Sequence, residues 1–168
     1  PGKNIFPYIQ KNLDDIITVP DEELVVSFLD IVENHKMVVE NSGLLTVAAL
    51  KHLNVQNQRV VSILSGGNMD IITMSSVVQQ GLIFRDRIFT VSVLLPDKPG
   101  MLSKVADVIA KENGNVIKLE HNQFVSINRS AAVELRITLE TFGTEHKNQI
   151  IKALEEKGYQ PKQVRTNI

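Results

Sequence analysis

Ile88-Phe89-Thr90-Val91-Ser92-Val93-Leu94-Leu95-Pro96-Asp97-Lys98-Pro99-Gly100-Met101-Leu102 decides how the second half of the chain folds. Phe89, Val91, Val93 and Leu95 alternate with Thr90 and Ser92, the period of a half-buried strand. Leu102, Val105, Ala106, Ile109 and Ala110 then recur at helical spacing. A strand therefore turns sharply into a helix at Asp97-Lys98-Pro99-Gly100-Met101-Leu102. A helix N-terminus offers free N–H groups and partial positive charge. Gly100 has no Cβ to hold a ligand away. A carboxylate could rest on the N–H groups of about Gly100 to Leu102, Asp97 could accept from an ammonium, and Asn115 could pair with either. Chemistry alone favours a simpler reading: a plain turn that Asp97 caps, with Pro99 in the first helical turn.

Outward from this turn the same alternation of periods continues. Asn113-Gly114 stops the helix, and Val116 to Phe124 is a second strand. A polar turn at Asn128-Arg129-Ser130 leads to Val133, Leu135, Ile137 and Leu139, which alternate with charged and hydroxyl residues. Thr144 starts a helix ending at Gly158, and Tyr159 to Thr166 is a final edge strand. The order β-α-β-β-α-β predicts one sheet with two helices on one face.

Residues 1–80 alternate differently. Strands are predicted at Asp14 to Val19 and at Arg59-Val60-Val61-Ser62-Ile63-Leu64, the latter β-branched enough to be covered on both faces. Helices are predicted from Asp21 as N-cap to about Asn34, from Asn41 or Ser42 to Leu53, and from Asp70 to Gln80 with Gly81 near its end. This is an α/β pattern. Gly81 to Arg87 reads as a linker.

The totals narrow the function. Net charge is -1, so nothing draws the chain to nucleic acid or an anionic membrane. There are no cysteines, and the four histidines have no ligand spacing, so no metal site is expected. Lys147, Lys152 and Lys157, with Glu155 and Glu156, read as a solvated helix face. Ile71 to Phe84 is too short and polar to span a bilayer. A cytoplasmic location is expected. Pro1-Gly2-Lys3-Asn4 lacks an initiator methionine and any signal core, so the chain reads as a piece of a longer product.

Residues 88–166 resemble an ACT domain, the regulatory amino-acid-binding module. The resemblance rests on the strand order, the Asp97-Lys98-Pro99-Gly100-Met101-Leu102 turn and Asn113-Gly114-Asn115-Val116-Ile117. It implies an amino-acid effector between that turn and the second strand, at Asp97 to Leu102 and Asn115, Val116 and Ile117, often across a dimer of sheets. Val39-Glu40-Asn41-Ser42-Gly43, Val47-Ala48-Ala49-Leu50 and Val60 to Asn68 resemble the end of the catalytic domain of threonine ammonia-lyases and serine racemases. These are fold type II pyridoxal-phosphate enzymes. The resemblance implies that Ser65 meets the pyridine nitrogen of pyridoxal phosphate, that Glu40 lies at the pocket edge and that Asn68 supports the turn. A neutral serine there suits loss of a β-hydroxyl. The chain departs from the family at Asn41 and Leu44, where a small residue is common.

The expected architecture is thus a partial three-layer segment of that catalytic domain over 1–80, a linker at 81–87 and a ferredoxin-like ACT domain over 88–168. No lysine here has the Ser-x-Lys setting of the Schiff-base residue, and the phosphate-holding glycine loop is absent. The resemblance implies the regulatory tail of an enzyme converting threonine to 2-oxobutanoate and ammonia, in isoleucine biosynthesis or threonine catabolism, with isoleucine or valine as effector. The piece alone is expected to be inactive and to lack the cofactor. Apolar faces left bare on residues 1–80, and the ACT sheet itself, predict a homo-oligomer. A free-standing amino-acid-binding or dimerisation module is the alternative.

Overall fold

The computed structural model describes residues 2–122 and 133–167. The chain divides into two compact units, Pro1–Met74 and Ser75–Ile168.

The first unit is helical among the described residues. α1 spans Phe6–Asn12, which the sequence leaves without a period, and has a proline in its first turn. α2 spans Asp21–His35 and stops at Lys36, which takes the left-handed conformation. Pro20, not Asp21, occupies the cap position, and no side chain caps the helix. Asp21, Glu22 and Glu23 instead form the first turn, where their charge suits the dipole. Leu24, Phe28, Leu29 and Ile31 are buried, as are Leu44 and Ala48. Residues 41–52 wind as a 3₁₀ turn (Asn41–Leu44), a single α turn α3 (Leu45–Ala48) and a second 3₁₀ turn (Ala49–His52) rather than one helix.

The two strands predicted in this unit are corrected. Neither Asp14–Val19 nor Arg59–Leu64 forms a ladder among the described residues. A strand needs a partner for its backbone groups. The Arg59–Leu64 run has a foothold where Thr46 Oγ1 donates to the Ile63 carbonyl at 3.0 Å. Its β-branched side chains stay in solvent, with Val61 89% and Ile63 72% exposed.

α4 spans Ile71–Phe84 and so runs through Gly81. Asp70 caps it, accepting the Thr73 N–H at 2.9 Å and the Thr73 hydroxyl. The Thr73 hydroxyl and N–H hold the Asp70 carboxyl below its ordinary value.

The second unit realises the β-α-β-β-α-β order. β1 (Ile88–Leu95), β2 (Asn115–Asn122), β3 (Val133–Glu140) and β4 (Lys162–Val164) form an antiparallel sheet ordered β2-β3-β1-β4. α5 (Met101–Lys111) and α6 (Thr144–Glu156) connect them. Phe124 and the Asn128-Arg129-Ser130 turn lie outside the described residues. On one face Phe89, Val91, Val93, Leu135, Ile137 and Leu139 pack with Val105 and Ile109 of α5 and Ile150 and Leu154 of α6. Asn113, left-handed at φ 61°, ends α5, and the Gly114 N–H donates to the Ile109 carbonyl at 2.9 Å. His146 is the one histidine that is buried. Its Nδ1 accepts the Phe142 N–H at 3.1 Å while Nε2 meets the Glu112 carbonyl at the end of α5.

The opposite face is polar. Thr90 and Thr138 pair through their hydroxyls at 2.9 Å. Ser92 Oγ donates to Glu134 at 2.7 Å, and Arg136 lies 3.1 Å from the same carboxylate. The Ser92 hydroxyl, helped by Arg136 and Asn122, holds the buried Glu134 carboxyl below its ordinary 4.5 against the opposing effect of burial.

A depressed folded-state value means Glu134 contributes stability above pH 4.5 that is lost as pH falls through the folded value. The denaturant midpoint should therefore drop on acidification below that point. In Ser92→Ala the drop should shrink, and carboxyl NMR should report Glu134 titrating higher. An unchanged Glu134 titration in the variant would refute the assignment.

Candidate functional site

The turn after β1 is built by its own backbone. Lys98 N–H donates to the Pro96 carbonyl at 2.9 Å, and Met101 N–H reaches the Lys98 carbonyl at 3.3 Å. Gly100 is the N-cap residue of α5 at φ 83°, ψ -6°, a conformation that a Cβ makes costly. No side chain caps α5, so Asp97 is not its cap and Pro99 precedes the helix. Asp97 and the first turn of α5 are thereby left for another partner.

A cavity of about 330 Å³ opens beside this turn. Asp97, Lys98, Pro99, Gly100, Met101 and Leu102 form one wall. His121, Val133 and Leu135 form the other. These three were not legible beforehand. They reach the turn because Leu95 pairs with Val133, and His121 with Leu135. The cavity thus has an acid, a base and an imidazole at its rim and an aliphatic floor.

Asn115, Val116 and Ile117 do not line it. Asn115 pairs with Glu140, and its amide donates to that carboxylate at 3.0 Å. Glu140 is seven positions along β3 from Val133, which at the usual strand rise is about 23 Å. The two halves of the predicted site lie at opposite ends of the sheet within one chain. Ile117 is skipped in the β2–β3 register, and Val116, Ile117 and Leu119 are exposed on this edge strand.

In the first unit, Glu40 and Asn68 line a second cavity of about 270 Å³ with Asn41, Ser42, Asp70 and Thr73. Ser65 does not line it, and its carbonyl faces Gly43. The Glu40 N–H donates to the Gly66 carbonyl at 3.0 Å, and its carboxylate accepts from Ser42 at 2.6 Å. Two glycines let these segments touch. A Cβ on Gly43 would sit 1.6 Å from the Ser65 carbonyl oxygen, and one on Gly66, at φ 76°, would sit 2.4 Å from the Glu40 carboxyl carbon. Asn41 Oδ1 is buried without a partner among the described residues. Among those residues, no three His, Asp or Glu side chains gather as a metal would need. No helix among them is long and apolar enough to cross a membrane.

Residues 89–158 match the ACT domain. An L-threonine ammonia-lyase of Geobacter sulfurreducens is 35% identical over 95% of the chain, and one of Thermotoga maritima is 29% identical over 95%. A biosynthetic L-threonine dehydratase of Pasteurella multocida is 30% identical over 94%. The chain spans 40% of the length of the first two relatives and 30% of the third.

The glycine contacts give a direct check. Gly43→Ala forces its new methyl into a backbone carbonyl that cannot rotate away, so the substitution should cost about 1–3 kcal/mol or more. Gly2→Ala, which meets nothing within 4 Å, should cost far less. Urea denaturation of both variants compares the two.

Proposed function

We propose that this chain, a relative of the threonine ammonia-lyases whose residues 89–158 are an ACT domain, is the C-terminal regulatory portion of such an enzyme. Its ACT domain takes a small apolar amino acid, isoleucine or valine, as effector. The cavity at the Asp97 turn carries this reading. Asp97 suits an ammonium, the uncapped first turn of α5 suits a carboxylate, and Leu95, Val133 and Leu135 suit a branched side chain. The parent enzyme acts in isoleucine biosynthesis or threonine catabolism, in the cytoplasm.

The distance between the turn and Asn115 makes the effector site a shared one. An amino acid is far too short to touch both within one chain. A second copy, related by a two-fold axis and joined through the exposed edge of β2, would bring its Asn115, Val116 and Ile117 to the first copy's turn. Exposed Val116, Ile117 and Leu119 support this oligomer.

In the first unit, Ser65, Glu40 and Asn68 fit the ring side of pyridoxal phosphate. The unpartnered Asn41 Oδ1 is consistent with a polar group that this chain does not supply. When bound, the cofactor supplies the electron sink for removing threonine's Cα proton and its β-hydroxyl, leaving 2-oxobutanoate and ammonia. Ser65 would offer the ring nitrogen a neutral hydroxyl, and Glu40, already bonded to Ser42 and to the Gly66 carbonyl, would border the ring. The chain offers neither the lysine setting nor the phosphate cup, so we infer that it neither holds the cofactor nor turns over threonine alone.

Isothermal titration of the chain with a panel of amino acids tests the effector reading. Isoleucine or valine should bind, and Asp97→Asn or Asn115→Ala should abolish binding. If no amino acid binds, the reading fails. Mixing the two variants tests the shared site. Random pairing should restore about a quarter of the sites, because a mixed dimer has one intact site of two. Binding by wild type without restoration in the mixture would leave the effector standing and remove the shared geometry.

A further inference from the structure

A second cavity in the ACT unit, of about 610 Å³, lies on the other side of the same turn. It shares Pro96 and Met101 with the first. Three lysines line it, Lys104 and Lys111 from α5 and Lys157 from the end of α6, against one carboxylate, Asp107. Among the described residues none of the three ammonium groups has an ion-pair partner. Its floor is apolar: Val108 is buried, and Met101 and Tyr159 pack on the core. Tyr159 is fixed by the stop of α6. Gly158 turns left-handed at φ 82°, and Tyr159 N–H donates back to the Leu154 carbonyl at 3.1 Å.

Helix electrostatics account for two of the lysines but not the third. Lys111 and Lys157 sit at helix C-termini, where positive charge is favoured. Lys104 sits at the start of α5, where the dipole disfavours a cation, and that helix has no acid in its first turn. Lys104 and Lys111 are seven residues apart, about 10 Å along the axis on one helix face, so both can approach an anion between them. The cavity is lined by lysine without arginine. Lysine binds phosphate as a compact point charge, and three ammonium groups converging from two helices suit an anion of more than one charge.

We propose that this cavity binds a small phosphate monoester, its phosphate held by Lys104, Lys111 and Lys157 and its apolar body laid against Tyr159, Met101 and Val108. The site is separate from the amino-acid cavity and does not depend on it.

Phenyl phosphate is the probe, with inorganic phosphate and benzoate as the two halves of its chemistry. In titrations of the whole chain, phenyl phosphate should bind saturably and more tightly than either. Amide NMR shifts should gather at Lys104, Val108, Lys157 and Tyr159. Lys104→Gln and Lys157→Gln, both at exposed positions, should each weaken binding about tenfold, the loss expected for one charged hydrogen bond. Absence of saturable binding, or affinity unchanged in both variants, would overturn the proposal. So would shifts centred on Lys98 and His121 instead of Tyr159. Inorganic phosphate or benzoate binding as tightly as phenyl phosphate would overturn the assignment to a phosphate ester.

Discussion

The antiparallel ladder between β1 and β3 is the constraint on which the second unit depends. It is continuous over eight pairs, from Ile88 opposite Glu140 to Leu95 opposite Val133. A slip of β1 by one residue would turn Val91 and Val93 to the polar face and bury Thr90 and Ser92 against the helices. Two sets of interactions forbid that slip. On one face the aliphatic core is closed by α5 and α6. On the other, the Thr90–Thr138 pair and the Ser92–Glu134–Arg136 group give buried polar atoms their partners. The ladder also brings Val133 and Leu135 to the Asp97 turn, while the β2–β3 pairing places Asn115 at the far end.

The first unit depends on a different constraint, the close passage of two backbones. Residues 38–43 and 65–67 run so near each other that neither Gly43 nor Gly66 has room for a methyl group. This passage fixes Glu40 beside the Ser65-Gly66-Gly67-Asn68 loop. Yet the run leading into the loop has no ladder among the described residues, and its valines and isoleucine face water. A run with that composition is made for a covered position in a sheet. Its side chains have the chemistry of a core without one, which agrees with relatives more than twice as long as this chain.

Legibility in the sequence followed how local each signal was. The β-α-β-β-α-β order, the core face of each strand and the α5 stop at Asn113-Gly114 all follow from short-range periodicity and turn chemistry. The turn was found for the same reason, and its six residues do line one wall of the cavity. Its opposite wall was not found. That wall depends on cross-strand register, and the sequence between β2 and β3 is too long to fix a register from spacing. The unpaired runs at Ile16 and Val60 failed differently. Their β-propensity was read correctly, but a strand is a property of two segments, and the second is not in the first unit. His146 looked like a scattered histidine because its two partners, the Phe142 N–H and the Glu112 carbonyl, are backbone groups invisible to any residue motif.

The entry into β1 shows how a charged run can mislead in the same way. Arg85-Asp86-Arg87 has the composition of a solvated tether. Asp86 instead adopts a left-handed conformation at φ 55° and is held from three directions. Its carboxylate accepts from Thr144 and from Lys147, each at 2.8 Å, and its carbonyl accepts from the Thr141 hydroxyl. Thr141 N–H in turn bonds the Arg87 carbonyl at 2.8 Å. Lys147, which reads from sequence as one of a solvated row, is therefore mostly buried against Asp86. The end of α4 is thereby tied to the corner where β3 becomes α6. Any shift of α6 against the sheet must strain these bonds or carry Asp86 with it. Within this unit, a segment whose composition reads as a free tether is fixed by hydrogen bonds to both its side chain and its backbone.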